Sequence, residues 1–229
     1  MSHIYPLPLV VIRPEPGNAA TCAAARAVGL EPVAAPLFEI EAVGWDAPAE
    51  DFDAILAGSA NVFRHGGAGL ARFSHVPVIA VGETTAAAAR SAGFAVARVG
   101  EGGLQPVVAT LPPGNYIRIA GEDRVMLVAP EGVRIVTVVA YAARKRAVTD
   151  ALGARLEHGA VVLLHSGEAA RHFAQECERL GIPKESLHLA CLAPRIAELA
   201  GNGWGTLAVA AGRTDKEVLE LGARMCQTV

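Results

Sequence analysis

Short runs of apolar, often β-branched residues alternate along the chain with longer alanine-rich stretches. The runs Leu9–Ile12, Ala54–Ala57 and Val161–Leu164 are each followed within two residues by Gly, Ser or Pro, which is typical of buried strands that end in turns. Stretches such as Thr84–Ala92 and Lys216–Met225 have helical composition and spacing. This alternation predicts an α/β fold with parallel sheets and right-handed crossovers.

The remaining helices and strands are predicted from the same alternation of apolar runs and helical stretches. Asn18 is expected to cap a helix that stops at Gly29, because Asn is a favoured N-cap residue and Gly a favoured helix terminator. Further strands are predicted at Val78–Val81, Val96–Val99, Tyr116–Ile119, Ile135–Val139 and Leu207–Val209, and a further helix near Leu104–Leu111.

A weak internal repeat suggests that the chain builds two similar βα domains. The segment Ala54–Ser59 resembles Val161–Ser166, and each is followed by an Arg-His pair at the same offset. Farther on, Val78–Gly82 lines up with Leu189–Ala193. The alternative is that unrelated βα units look alike wherever Ala and Val are common, since periodicity alone does not separate the two cases.

Composition and charge exclude several classes of protein. The 229 residues are 52% hydrophobic, which excludes disorder and allows one large domain or two small ones. No apolar run approaches the roughly 18 residues of a membrane span, and Met1–Val10 does not have the pattern of a signal peptide, so we expect a cytoplasmic protein. The net charge of −3 disfavours a nucleic-acid binder.

Neither the cysteines nor the histidines indicate a metal site. The four cysteines form no C-x-x-C pair, and we expect reduced core thiols at Cys22, Cys177, Cys191 and Cys226. The histidines His158, His165 and His172 are equally spaced but fall on a helix end, a strand end and a helix. They therefore share no face that could hold a metal.

Three turns that follow predicted strands could bind anions. Ser59–Asn61, Gly82–Thr85 and Ser166–Glu168 each place small polar residues at the start of a helix, where free N–H groups and the helix dipole favour negative charge. Each alone is typical of a plain N-cap, and Glu168 would oppose an anion. Together they lie where parallel sheets bind ligands. The absence of phosphate-binding motifs disfavours a nucleotide-dependent enzyme.

Tyr141 ends a β-branched run just before the basic residues Arg144–Arg146. A phenol in that position could act as a weak acid, and neighbouring positive charge would lower its pKa. The residues alone favour the simpler interpretation, an aromatic side chain at a strand end with its hydroxyl group in solvent.

The order of these motifs resembles that of the uroporphyrinogen-III synthase family over nearly the whole chain. The resemblance is carried by Val11–Pro14, Gly29–Val33, Pro36–Ile40, Phe52–Val62, Ala80–Ala86, Ala120–Arg124 and Val139–Tyr141. It implies two Rossmann-like or flavodoxin-like α/β lobes with parallel sheets, one lobe inserted in the other and joined to it by a two-stranded linker. The expected bounds are 1–35 with 144–229 for the first lobe, 44–134 for the second, and 36–43 with 135–143 for the linker.

The resemblance also implies the activity and its residues. Members of the family cyclise hydroxymethylbilane, a linear tetrapyrrole bound between the lobes, to uroporphyrinogen III with loss of water and inversion of ring D, using no metal or cofactor. Tyr141 matches the family's tyrosine and is the expected acid. The expected substrate-binding residues are Arg13, Ser59, Ala60, Asn61, Thr85, Arg124 and Ser166.

One position departs from the family pattern and two broader questions stay open. Where the family often has Gly-Pro-Thr-Thr, this chain has Ala193-Pro194-Arg195-Ile196. Two alternatives follow: Arg195 replaces a hydroxyl contact with a charged one, or that side of the site differs from the family's. The alternative function is a non-catalytic two-lobed module that binds an anionic metabolite. We expect a monomer that binds neither nucleic acid nor membrane, and a transient contact with the enzyme supplying hydroxymethylbilane is left open.

Overall fold

The computed structural model describes residues 7–228, and chain contacts divide the protein into two compact units. Unit 1 consists of Met1–Glu39 and Lys145–Val229, and unit 2 of Ile40–Arg144. The first six residues of the Met1–Val10 segment, which was expected not to be a signal peptide, lie outside the described residues. No described helix is long and apolar enough to cross a membrane.

Eleven strands and eight α-helices make up the described chain. In chain order they are β1 (Leu9–Val11), α1 (Gly17–Ala27), β2 (Val33–Ala34), β3 (Phe38–Ala42), β4 (Ala54–Ala57), α2 (Asn61–His65), β5 (Val78–Val81), α3 (Glu83–Ser91), β6 (Val96–Gly100), α4 (Leu104–Val108), β7 (Gly114–Gly121), β8 (Val133–Lys145), α5 (Asp150–Leu156), β9 (Ala160–Leu164), α6 (Gly167–Leu180), β10 (Leu187–Cys191), α7 (Pro194–Ala200), β11 (Thr206–Val209) and α8 (Asp215–Thr228). Two 3₁₀ turns occur at Ala68–Phe73 and Lys184–Ser186.

The sheet of unit 1 has five strands in the order β11-β10-β9-β1-β2, and every neighbouring pair is parallel. Numbered along the chain within the unit, this is the flavodoxin-like order 2-1-3-4-5. All residues of β1 and β9 are buried, because helices cover both faces of a parallel sheet and leave no polar side for its central strands. The predicted α/β fold with parallel sheets is confirmed.

The sheet of unit 2 has six strands in the order β3-β8-β7-β4-β5-β6. The five strands β8, β7, β4, β5 and β6 are parallel. Strand β3 runs antiparallel to β8, since Arg146 N donates to Leu37 O and Val43 N donates to Ala140 O, each at 2.9 Å. Apolar clusters pack on both faces of this sheet. Both β3 and β8 cross the boundary between the units.

The two sheets have the same strand order if the strands of unit 1 are counted from β9 to β11 and then on to β1 and β2. The order β11-β10-β9-β1-β2 then corresponds strand for strand to β6-β5-β4-β7-β8. The repeat seen in the sequence pairs β4 with β9 and β5 with β10, which are strands at equivalent positions in the two sheets. The segments that resemble each other in sequence therefore form strands at corresponding positions of two sheets with the same strand order.

Two local predictions are corrected by the structure. Asn18 does not cap α1, because the helix begins at Gly17 after Pro16 and has no side-chain cap. The Asn18 side chain is instead fully buried, and its amide donates to Val11 O at 2.7 Å and to Arg13 O at 3.0 Å. Strand β8 extends to Lys145, so Tyr141 lies inside a strand and not at the end of one.

Candidate functional site

The predicted binding residues of unit 1 follow neighbouring parallel strands. Arg13 follows β1, Ser166 lies two residues after the end of β9, and Arg195 lies in α7 after β10. Because the carboxyl ends of parallel strands meet at one edge of the sheet, the three residues belong to the same edge, where α/β folds bind ligands.

Arg13 is held by a carboxylate that the sequence did not reveal. Its Nη1 lies 2.7 Å from Asp215 Oδ1, and Thr21 donates its hydroxyl proton to Asp215 Oδ2 at 3.0 Å. His165 Nε2 lies 2.7 Å from the same Oδ1 atom. Asp215 is 202 residues from Arg13 in the chain, so only the strand order brings the two together. The one feature of the sequence that could have indicated Asp215 is its position in the first turn of the helix that follows β11.

His165 is a largely buried partner in this network, with a side chain that is 9% exposed. Burial and the positive charge of Arg13 lower its pKa, and the bond to Asp215 acts against them without reversing the shift. The ring is therefore neutral at pH 7, and the bond to the carboxylate places its proton on Nε2. Its Nδ1 atom then carries a lone pair, with no hydrogen-bond partner among the described residues.

The other two histidines of the sequence series lie apart from this network. His158 Nδ1 lies 2.8 Å from Ala154 O, and His172 Nε2 lies 2.8 Å from Arg146 O. Each ring is thus tied to a different backbone carbonyl, so the equal spacing does not bring the three side chains together.

Arg195 borders a depression of about 630 Å³ in unit 1, and the start of α6 at Gly167, next to Ser166, also lines it. Ser166 caps α6, and its Oγ accepts the Ala169 N–H at 3.1 Å. The lining includes Arg171, Arg195 and Arg213. Glu168, which was expected to repel an anion, is bound by Lys145 at 2.7 Å; this contact lowers the pKa of Glu168 and offsets its charge.

The predicted residues of unit 2 also follow neighbouring parallel strands. Ser59, Ala60 and Asn61 follow β4, Thr85 follows β5, and Arg124 follows β7. Ser59 Oγ accepts the Asn61 N–H at 3.2 Å, and α2, which begins at Asn61, is little more than one turn long. The carboxyl ends of β4, β5 and β7 therefore bring these residues to one edge of the sheet in unit 2.

Thr85 does not present its side chain to solvent at this edge. It is only 4% exposed, and its N–H donates to Gly82 O at 3.2 Å. The neighbouring Thr84 is exposed and lines a depression of about 760 Å³ together with Phe63 and Arg64. The turn requires glycine at position 82, where φ is +77°.

Tyr141 lies opposite Gly121, across a bulge between β7 and β8. A Cβ atom at position 121 would come within 2.6 Å of the Tyr141 ring, so the close packing of the ring depends on this glycine. Glu122 N donates to Tyr141 O at 2.9 Å. The ring is half-buried and packs against the core of unit 2.

Each of the three basic residues after Tyr141 is paired with a carboxylate. Arg144 pairs with Glu122 at 2.7 Å, Lys145 with Glu168 at 2.7 Å, and Arg146 with Glu39 at 3.6 Å. The cation whose pKa responds to Tyr141 is Arg118, a buried β7 residue that sequence reasoning missed because it lies in an apolar strand.

The comparisons with known proteins agree with this architecture. The family model described as HEM4, uroporphyrinogen-III synthase HemD, matches residues 19–220, whereas no curated protein matches the chain. A uroporphyrinogen-III synthetase structure from Helicobacter pylori 26695 is 14% identical, covers 96% of this chain and 99% of its own, and has a TM-score of 0.66. A mutant uroporphyrinogen III synthase from the extremely thermophilic bacterium Thermus thermophilus is 17% identical, covers 97% and 100%, and has a TM-score of 0.56.

At these identities the solved structures show a shared fold, whereas the family model identifies the chain directly. That model spans most of the 229 residues. The chain therefore belongs to the uroporphyrinogen-III synthase family.

Proposed function

We propose that this enzyme cyclises hydroxymethylbilane to uroporphyrinogen III, with loss of water and inversion of ring D. The observation that carries the proposal is the family match over residues 19–220. The geometry supports it, because both sheets carry arginines and polar turns at their carboxyl edges, as binding of a ligand with many carboxylates requires.

Tyr141 is the proposed proton donor. The terminal C–O bond breaks as the phenol protonates the departing hydroxyl group, which leaves as water and produces an electrophilic azafulvene stabilised by the pyrrole nitrogen. Attack by the substituted carbon of ring D gives a spiro intermediate, whose rearrangement inverts the ring. Choosing this closure over the unguided one depends mainly on holding the chain of pyrroles in one geometry.

The remaining predicted residues are proposed carboxylate contacts. Arg13 offers the N–H groups that Asp215 and Thr21 do not occupy, and Arg195 takes the place of a hydroxyl contact in unit 1. In unit 2 the exposed Arg124 and the turn at Ser59–Asn61 serve the same purpose. The exposed Thr84 hydroxyl is the proposed contact after β5, because the side chain of Thr85 is buried.

The substrate is a linear tetrapyrrole, and we propose that the protein acts as a monomer in the cytoplasm. All four cysteines are free and buried, which fits a reducing compartment. A transient contact with the enzyme that supplies hydroxymethylbilane is also proposed, because spontaneous ring closure to the uninverted isomer competes with the catalysed reaction.

The decisive experiment is an assay with freshly made hydroxymethylbilane, followed by oxidation and separation of the isomers. We expect isomer III to accumulate in proportion to the protein added. A non-catalytic binding module would leave isomer I, the product of the unguided reaction, as the only product.

A further inference from the structure

Arg118 is a buried cation without an anionic partner. It lies in β7 between Leu56 of β4 and Thr137 of β8 and is only 5% exposed. None of the ion pairs among the described residues includes it. A guanidinium stays protonated in proteins, so the fold has placed an unbalanced positive charge inside unit 2.

The hydrogen bonds of Arg118 are also incomplete. Nη1 donates to Val125 O at 2.8 Å, whereas Nε has no acceptor among the described residues. Buried charges are ordinarily paired and fully hydrogen-bonded, because an unpaired one loses its hydration without compensation. The guanidinium therefore retains a donor for which the described residues supply no acceptor.

The surroundings of Arg118 are short of negative charge. Burial and the nearby Arg124 lower the pKa of Arg118, while Tyr141 raises it. Glu122, an acidic residue of the same turn, is bound to Arg144 at 2.7 Å. The unpaired cation thus lies near a second arginine.

The segment that covers Arg118 has a polar inner side and an apolar outer side. Val125 turns its carbonyl towards Arg118, while the residues Val125, Met126 and Val128 are 69%, 87% and 76% exposed. Gln105 holds the segment through two bonds to the backbone of Val128, at 2.9 and 2.8 Å. A ligand that combines carboxylates with apolar rings complements both sides.

We propose that Arg118 binds a carboxylate of the substrate, with Nε and an Nη group forming a two-pronged contact that replaces the Val125 carbonyl. This inference rests on the proposed function for the identity of the ligand. The competing role is purely structural, in which Arg118 only anchors residues 122–130 through Val125.

Binding and stability together separate these roles. The probe is uroporphyrin III, the stable oxidised form of the proposed product, titrated into the ligand-free protein. Arg118→Met should weaken binding about tenfold to a hundredfold, as expected for a lost charge-assisted contact. Its unfolding temperature without ligand should equal or exceed that of the wild type, because an unbalanced buried charge has been removed.

The matched control is Arg98→Met, which removes an exposed arginine of the same sheet and should leave binding unchanged. An Arg118→Met variant that binds uroporphyrin III within twofold of the wild type would overturn the proposal. A lower unfolding temperature with unchanged binding would assign Arg118 the structural role.

If Arg118→Met fails to fold, a measurement on the Arg118 side chain of the wild-type protein tests the contact instead. In protein labelled with [¹⁵Nε]arginine, the Arg118 signal is identified by its absence from Arg118→Lys. Titration with uroporphyrin III should shift this signal saturably, and an unmoved signal would refute the contact. If the protein forms isomer III but its Arg118 variants bind uroporphyrin III as the wild type does, this inference alone is rejected. If uroporphyrin III binds through Arg118 but the protein forms no isomer III, the proposed function alone is rejected.

Discussion

The two units share a strand order but differ in how their carboxyl edges handle charge. In unit 1, Arg13 is paired with Asp215, which also binds His165. In unit 2, Arg118 has no carboxylate partner among the described residues, and Arg124 is exposed. The same strand order therefore supports an arginine that the protein itself holds in unit 1 and, in unit 2, arginines that no carboxylate of the described residues is seen to hold.

This difference teaches that strand order positions a site without deciding its electrostatics. An arginine fixed by a neighbouring carboxylate keeps its orientation before the ligand arrives, whereas an unpaired buried arginine gains its full stabilisation only on binding. We expect substitutions in unit 1 to affect the positioning of the ligand and substitutions in unit 2 to affect both binding and chemistry.

The largest effect should come from Tyr141→Phe in unit 2. The change keeps the ring and removes the proton donor, so turnover should fall by about 10²–10⁴-fold while the affinity for uroporphyrin III stays nearly constant. Initial rates of isomer III formation measure this. The control is Tyr116→Phe, which removes a hydroxyl bound to Pro112 O in the same sheet. Near wild-type turnover would make Tyr141 a packing residue.

The next effect tests the arginines of the two edges. Arg13→Ala and Arg124→Ala should each weaken uroporphyrin III binding about tenfold to a hundredfold. The Arg124 effect should shrink more as salt rises, because Arg124 is exposed and exposed charges are screened most. Isothermal titration at two ionic strengths measures both. If one unit's substitution had no effect, the ligand would engage the other edge alone.

Asp215 should act through Arg13, which a double-mutant cycle can reveal. Asp215→Ala releases the guanidinium from its 2.7 Å partner and should weaken binding less than Arg13→Ala does. In the double variant the two effects should be clearly non-additive, as for residues in direct contact. Strict additivity of the two binding free energies would show that Asp215 does not position Arg13.

A smaller effect should separate the two serine turns. Ser166→Ala removes the N-cap of the long helix α6 and should lower the free energy of unfolding by about 0.5–2 kcal/mol. Ser59→Ala should cost less, because α2 is little more than one turn long. Urea unfolding of both variants makes the comparison, and equal losses would contradict the difference in capping.

The smallest effect should appear in the pH dependence of stability. The pKa of His165 is lowered in the folded protein from 6.5, so the unfolded chain takes up the proton first as the pH falls. Stability should therefore decrease as the pH falls below 6.5, and His165→Gln should flatten this decrease. His158→Gln, which alters an exposed histidine of the same unit, is the control. An unchanged slope in His165→Gln would contradict the lowered pKa.

Much of the fold followed from local patterns in the sequence. The bounds Ala54–Ala57 and Val78–Val81 were predicted as they are observed, because short apolar runs between turn residues have few other solutions. The fold class and the family followed from the order of weak motifs. Tyr141 and the binding residues were assigned by resemblance, and their roles stay predictions.

Tertiary structure decided the contacts that no local pattern encodes. Asn18 is of a residue type that is favoured at N-caps, yet it is buried and donates to the carbonyls of Val11 and Arg13. Asp215 contacts Arg13 although the two are 202 positions apart in the chain, and Arg118 Nε, in an apolar strand, has no acceptor among the described residues. Periodicity reports which face of an element is buried, whereas the partner of a buried charge depends on which strands become neighbours in the sheet. Packing over the whole unit decides which strands become neighbours, so the groups that surround these charged residues could be identified only in the folded chain.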